Sequence, residues 1–283
     1  MRLLKDAFGP VGRAALAVAA ALAVLVGSAA APGAPRGVFR DAPANSQPTQ
    51  GPVPASPSSN APPPVDLRPE LAARLPKFEP APPAEAVNVP PSGPAAPWLG
   101  AIPTTQKVAF LTIDDGWEKN PEAVKLLLAA RIPVALFLTI DAIRDNPDFF
   151  KGLQAAGATI EAHTISHPSL RGKSYEFQKH QICGSADQLG AWFGRRPTLF
   201  RPPFGEYDAV TLKAVHDCGM RAALFWRETV DKGKVKYQSG GSVAAGDILL
   251  MHFRPAYVDD FLAALEAIHA AGLTPAALTD YLK

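Results

Sequence analysis

Two adjacent carboxylates, Asp114 and Asp115, close the apolar run Leu111-Thr112-Ile113-Asp114-Asp115-Gly116. Two imidazoles, His163 and His167, stand four residues apart in His163-Thr164-Ile165-Ser166-His167-Pro168. One carboxylate and two imidazoles make a mononuclear metal site that leaves coordination positions open for water and substrate. The second carboxylate is then free of metal duty and stands beside the site. This pattern points to a metal-dependent hydrolase rather than a structural metal knot, whose protein ligands would fill every position. Each piece alone has a plainer reading. Asp-Asp-Gly is most often a turn, and a lone pair of histidines four apart is commonly a surface or capping pair.

The elements around these residues decide between the readings. From residue 98 onward, apolar runs alternate with helical patterns, which argues for α/β organisation. Residues 107–113 read as a strand. Asn120-Pro121 opens a helix to residue 130, as an N-cap and first-turn proline do. Residues 134–138 form a second strand, and Asn146-Pro147 opens another helix closed near Gly157. Residues 158–162 form a third strand, ending at His163. Ser174 caps a long helix that stops near Gly194, and Leu199-Phe200 is a short strand. A helix over 208–217 is closed by Gly219, strands follow at 222–226 and 248–251, and a last helix spans 257–271. The candidates all fall at strand ends: Asp114 and Asp115 after the first strand, His163 after the third, Arg201 after the fourth, His252 after the last. In parallel α/β barrels and open sheets, that edge is where ligands bind. The remaining histidines, His180, His216 and His269, lie in predicted helices and read as ordinary helix residues.

Four segments resemble motifs of the polysaccharide deacetylases, the enzymes with the NodB homology domain (carbohydrate esterase family 4). They are Thr112-Ile113-Asp114-Asp115-Gly116, His163-Thr164-Ile165-Ser166-His167-Pro168, Arg201-Pro202-Pro203-Phe204-Gly205 and Leu250-Met251-His252. The resemblance covers roughly residue 100 to the end. It implies a distorted (β/α) barrel and one divalent metal ion, usually zinc, with cobalt or nickel also suited to nitrogen and oxygen ligands. It implies removal of acetyl groups from N- or O-acetylated glycans. Asp115, His163 and His167 would bind the metal and acidify a water, and Asp114 would take the proton as general base. Arg201 resembles the arginine that orients this base. His252 would protonate the departing amine, and the backbone N–H of Phe204 would share the oxyanion with the metal. Leu250 would line the acetyl methyl pocket, with Trp226 and Tyr207 as sugar-stacking surfaces.

The chain departs from the family in two places. The family usually has an Asp-x-x-Asp-Trp-like segment that tunes the general-acid histidine, where this chain reads Trp226-Arg227-Glu228-Thr229-Val230-Asp231-Lys232-Gly233. With Trp226 aligned, the expected carboxylate falls on Thr229 and the closing tryptophan is missing. Asp231 and Glu228 are the available substitutes. Phe253 stands where an acidic residue often follows the histidine. Neither change touches the metal ligands or the base, so activity is expected with an unusual substrate preference or pH dependence.

Composition bounds the rest. The formal charge of +2 over 283 residues does not suggest nucleic-acid binding. Residues 1–31 read as an export signal: Arg2, Lys5 and Arg13 precede or flank an Ala-, Leu- and Val-rich run, and Ser28-Ala29-Ala30 fits a small-x-small cleavage pattern. The strongly apolar part is shorter than the ~20 residues a spanning helix needs. Cleavage is favoured over an uncleaved signal anchor, the one route by which the chain would hold to a membrane. A buried helix of a folded domain fits the flanking basic residues poorly, and no cysteine stands near for lipid attachment. Residues 32–97, dense in Pro, Ala and Ser, read as a largely disordered linker, with a more mixed patch over 67–78 able to form a short helix or dock. The catalytic domain is placed at 98–283. Cys183 and Cys218 are the only cysteines; export permits a disulfide between the helices flanking the Leu199 strand, and two reduced buried thiols are the alternative. The expected protein is an exported, monomeric, metal-dependent deacetylase working in the cell wall on peptidoglycan first, with chitin oligomer or acetylated xylan as further glycan partners. The alternatives are an idle glycan-binding homologue, an O-acetyl (xylan) esterase, or a hydrolase of cyclic amides, which export disfavours.

Overall fold

The computed structural model describes residues 65–89 and 93–283. The export segment and the first half of the linker lie outside the described residues. A short helix, α1 (Pro69–Arg74), starts on proline, where the missing N–H costs nothing. After β1 (Trp98–Leu99) comes β2 (Val108–Asp115), all eight of whose residues are buried. That is what a central strand covered on both faces requires. Strand and helix then alternate through α2 (Glu122–Ala130), β3 (Val134–Leu138), α3 (Ile140–Ile143), α4 (Pro147–Ala155) and β4 (Ala158–Ala162). The side chain of Asn146 caps α4 by accepting from the Phe149 N–H. The long α5 (Tyr175–Phe193) is capped by Ser174 and ends at Gly194 in the left-handed region, as its sequence predicts.

β5 (Leu199–Phe200) leads through a tight turn to α6 (Ala209–Asp217), opened by a reciprocal capping box between Asp208 and Thr211. Next come β6 (Ala222–Leu224) and a hairpin of β7 (Glu228–Asp231) and β8 (Lys234–Tyr237). Its turn residues Lys232 and Gly233 both have positive φ, the requirement of a two-residue hairpin turn that follows strand twist. β9 (Ile248–His252), α7 (Tyr257–Ala270), β10 (Thr274–Pro275) and α8 (Leu278–Tyr281) complete the domain.

One sheet runs β1-β6-β5-β4-β3-β2-β9-β7-β8, with β10 also on β2. Its pairs are parallel except the β7–β8 hairpin. The ends of this path do not pair with each other among the described residues, so the sheet curls as a partial barrel. Period-two alternation sorts the strands into two cores. Val108, Phe110, Ala135 and Phe137 pack with Ile102 and Tyr281 on one face, while Ala109, Leu111, Ile113 and Leu136 meet the helices on the other. Cys183 in α5 and Cys218 at the end of α6 are joined by a disulfide, Cα atoms 5.1 Å apart. No helix among the described residues is long and apolar enough to cross a membrane.

The packed unit begins before the boundary drawn at residue 98. Leu67 and Leu71 are buried in the helix-side core, and the patch over 67–78 does form a short docked helix. Val87 donates its N–H to Tyr281 O (2.7 Å), and Pro83 O accepts from Gln106 Nε2 (3.0 Å). Proline-rich sequence cannot build a core of its own, but here apolar side chains and borrowed hydrogen bonds tie it to a preformed one.

Candidate metal centre and active site

Strand alternation places Thr112 and Asp114 on the inner face of β2. The next residue should point outward, yet Asp114 and Asp115 line the same cleft. Asp115 achieves this with a left-handed backbone, φ 77°. Gly116 follows at φ 108°, and a Cβ there would lie 2.4 Å from Ile143 Cγ2, so only glycine fits. Thr164 (φ 72°), His167 (φ 59°) and Phe204 (φ 62°) also occupy the left-handed region. Each such non-glycine residue costs on the order of 1–3 kcal/mol and persists only where the surroundings hold it.

His163 ends β4 and His167 lies on the following loop. His163 Nε2 lies 3.5 Å and His167 Nε2 3.2 Å from Asp115 Oδ1. Ligand atoms ~2.1 Å from a tetrahedral metal are ~3.4 Å apart, so the spacing suits one ion. Asp115 Oδ1 is buried with no hydrogen-bond partner, an acceptor that a cation would satisfy. These three residues form the one cluster of metal-binding type among the described residues. His163 Nδ1 lies 2.7 Å from Arg201 O. In the tautomer that donates this bond, Nε2 is left to coordinate. Burial pushes the Asp115 carboxyl up, but the two imidazoles hold it well below its ordinary value. Burial pushes His163 down, and Asp114 and Asp115 more than offset it, raising the imidazole.

Asp114 is held from the other side. The fully buried Arg201 donates from one nitrogen to Asp114 Oδ1 (2.7 Å) and Thr112 Oγ1 (2.8 Å), and from the other to Phe225 O (3.1 Å). Its guanidinium lies 4.3 Å from the Phe137 ring centre, a cation–π contact that steadies a desolvated charge. Thr112 Oγ1 in turn donates to Leu249 O at 2.6 Å. Burial lowers Arg201 from its ordinary range and Asp114 opposes that.

His252 ends β9 in register with Asp114. Burial lowers its imidazole, and Nδ1 is buried without a partner. Thr229 and Asp231 line the cleft, whereas Glu228 is buried on the opposite face of β7. Alternation therefore removes Glu228 as the substitute carboxylate and leaves Asp231. Burial and the neighbouring Asp247 push Glu228 up to about 8. Leu250 and Trp226 line the cleft, which encloses about 390 Å³. Phe204, 63% exposed, sets its ring edge-on 4.7 Å from His167. A Cβ at Gly205 would lie 2.2 Å from Phe225, so the turn carrying Phe204 is tightly packed from below. Tyr207 stands outside the residues that line the cleft, its ring stacked on Trp98 at 4.1 Å.

Sequence reasoning missed the residues that hold the histidine loop. Gln181 on α5 accepts from the N–H groups of Ile165 (3.0 Å) and Ser166 (3.1 Å) and donates to Ser166 Oγ (3.0 Å). Thr164 Oγ1 accepts from the His167 N–H at 3.0 Å, and Thr139 donates to His163 O at 3.0 Å. The signal available was a pair of glutamines, Gln178 and Gln181, on the buried face of a helix, where an amide needs a partner.

Residues 101–223 match the family model described as Polysaccharide deacetylase. An uncharacterized protein of Streptomyces coelicolor, SCO4760, is 41% identical over 155 residues, 54% of this chain and 62% of that protein. The peptidoglycan-N-acetylmuramic acid deacetylase PdaA of Bacillus subtilis is 26% identical over 50% of this chain and 54% of its own length. The chain thus spans between half and two thirds of these curated relatives. A family 4 carbohydrate esterase from Bacillus anthracis superposes with a TM-score of 0.57 at 20% identity, over 65% of this chain and 86% of that one. At that identity the likeness is one of fold.

Proposed function

We propose, from the match of residues 101–223 to the polysaccharide deacetylase family model, that this chain is an exported, metal-dependent deacetylase of N-acetylglucosamine-containing cell-wall glycan, peptidoglycan first. The observation that carries the proposal is the division of labour between the two carboxylates. Asp115 stands with His163 and His167, while Asp114 is kept apart by Arg201 at 2.7 Å. Peptidoglycan is supported by what the Bacillus subtilis relative is named for. Export is supported by the basic and apolar character of residues 1–31.

Asp115, His163 and His167 would hold a divalent cation, for which nitrogen and oxygen ligands suit zinc, and that ion would supply Lewis acidity and lower the pKa of a water toward neutrality. Asp114 accepts the proton of the attacking water. Arg201 fixes the orientation of that carboxylate and leaves Oδ2, 3.7 Å from His163 Nε2, facing the centre. The Phe204 N–H donates to the oxyanion of the tetrahedral intermediate. His252 protonates the departing amine, so the cleft holds the base and the acid on neighbouring strand ends. Leu250 and Trp226 wall the acetyl group. The test is acetate release from a panel of acetylated glycans, using metal-free and metal-reconstituted protein. Release should require the metal and vanish in Asp114→Asn, which should still bind the metal. Full activity in that variant would refute the role given to Asp114, and glycan binding with no release under any metal would favour an idle binding protein.

A further inference from the structure

Among the described residues, Trp117, Leu128, Phe177 and Phe204 are the large apolar side chains that stand in water, and Trp117 and Phe204 belong to the sheet edge that carries the candidate site. Of the chain's tryptophans only Trp117 is exposed, to 52%. The loop that bears it is held firmly. A Cβ on Gly116 would run into Ile143 and Phe150, so the backbone there is tightly packed. The Glu118 N–H donates to Phe253 O at 3.3 Å. Lys119 donates to Ala142 O (2.8 Å) and Asp145 Oδ1 (2.7 Å). A slack loop leaves an indole in solvent by default, whereas a loop tied at successive residues presents it. The strand register then gives its place. The Cα pairs Asp115 with Leu138, Leu138 with Ala162 and Ala162 with Phe200 form one row across β2, β3, β4 and β5. Trp117 follows one end of this row by two residues and Phe204 follows the other by four. His163 leaves the row between them, next to Ala162. The two exposed rings thus stand on loops that flank the proposed metal centre. Three strand spacings make the row about 14 Å long before the sheet curls, wider than one sugar ring.

We infer that Trp117 is a distal sugar platform: it stacks on a glycan residue separate from the one being deacetylated, so that the site works on chains in preference to short fragments. A β-linked hexose keeps its hydroxyls around its rim and presents C–H bonds from its two faces. A rigid indole already held in water meets such a face with a large contact area and little ordering cost. The reacting sugar lies over the proposed metal centre, where Phe204 packs edge-on against His167 at 4.7 Å. A chain laid from Phe204 across that centre reaches the loop after β2. The other exposed apolar side chains, Leu128 and Phe177, stand on α2 and α5. Trp117 is therefore a single ring, the scale of a sugar face rather than of a protein interface. The inference rests on the deacetylase reading and adds to it a subsite and a chain-length preference.

The test measures acetate release by the zinc-loaded full-length protein from a disaccharide and a hexasaccharide, each supplied as chitin oligomer and as peptide-free peptidoglycan strand. The quantity read is the ratio of kcat/KM, per acetyl group, for the hexasaccharide over the disaccharide. Wild type should favour the longer chain about five- to thirtyfold, the scale of one ring stacked on an aromatic face. In Trp117→Ala the ratio should approach one, with the melting temperature confirming a folded protein. Trp117→Phe keeps a ring and should retain most of the preference. A Trp117 that merely shapes the loop beside Asp115 would instead lower both lengths by the same factor and leave the ratio unchanged. A wild-type ratio near one, or a ratio that survives in Trp117→Ala, would overturn the inference. Should no oligosaccharide release acetate, the deacetylase reading fails separately. Calorimetric affinities of the hexasaccharide and the disaccharide for wild type and Trp117→Ala then decide the platform by the same ratio, and binding of neither would overturn it.

Discussion

Replacing Gln181 by leucine should weaken binding of the metal proposed for Asp115, His163 and His167 before it costs the protein its fold. The amide makes three hydrogen bonds of 3.0–3.1 Å to the loop between His163 and His167, the two histidines of the proposed metal centre. That loop carries two left-handed non-glycine residues, Thr164 and His167, so it has a reason to relax when released. Leucine keeps the volume and leaves the Ile165 and Ser166 N–H groups without partners. Each part-buried orphan costs about 1–3 kcal/mol, which the loop can recover only by moving away from the ligand geometry. A shift of ~1.4–2.7 kcal/mol against the competent loop lowers its population about 10- to 100-fold, and metal affinity falls with it. The assay is a competition titration with a chromophoric chelator, alongside urea unfolding of the metal-free protein. Turnover should return at saturating metal. Gln181→Glu, which retains the acceptor for both N–H groups, should stay within a few-fold of wild type. Metal affinity of Gln181→Leu within twofold of wild type would refute the reasoning that α5 holds the loop.

Three further outcomes follow from the geometry. Glu228 titrates near 8 in the folded protein against an ordinary 4.5, so folding is penalised increasingly from about pH 4.5 to pH 8, by on the order of a few kcal/mol. Glu228→Gln should then raise the melting temperature more at pH 8.5 than at pH 5, and an equal gain at both would count against a buried, protonated Glu228. In the role proposed for it, His252 would work as an acid only while protonated, and burial lowers its imidazole, so activity should fall with rising pH at a lower pH than an ordinary histidine would give. Thr229→Asp should move that limb of the pH–rate profile upward, and an unmoved limb would dissociate the β7 wall from His252. Serine at both Cys183 and Cys218 removes a cross-link spanning 35 residues, which the chain-entropy relation places at about 4 kcal/mol; urea unfolding of the double variant against the oxidised protein measures it.

The residues that were legible in the sequence are those whose chemistry or capping is local. Asn146, Ser174, Asp208 and Gly194 mark helix ends because their side chains, or the lack of one, satisfy neighbouring backbone groups. Asp114, Asp115, His163, Arg201 and His252 were placed on one edge because the strands before them are continuous apolar runs, and all sit there in the structure. The β7–β8 hairpin was not legible. Its strands are four residues each, and its lysines alternate with half-buried residues, too short and too polar for periodicity to register. The role of Gln181 is signalled only by its place on a buried helix face, because the backbone groups it accepts from lie 15 and 16 residues away. Within the proline-rich stretch, Leu67 and Leu71 anchor the patch that the sequence marks as able to dock.

The left-handed backbones at Asp115, Thr164, His167 and Phe204 set heat tolerance against catalysis in this domain. Glycine at Thr164 or Phe204 would relieve local torsion at little steric cost, and a laboratory selection that rewards survival at high temperature alone would collect such changes. Each would loosen the loop or turn beside the proposed ion, so the hardier descendants would be the slower ones. A screen that scores both properties at once should find these four positions refractory while the outer helices accumulate substitutions freely.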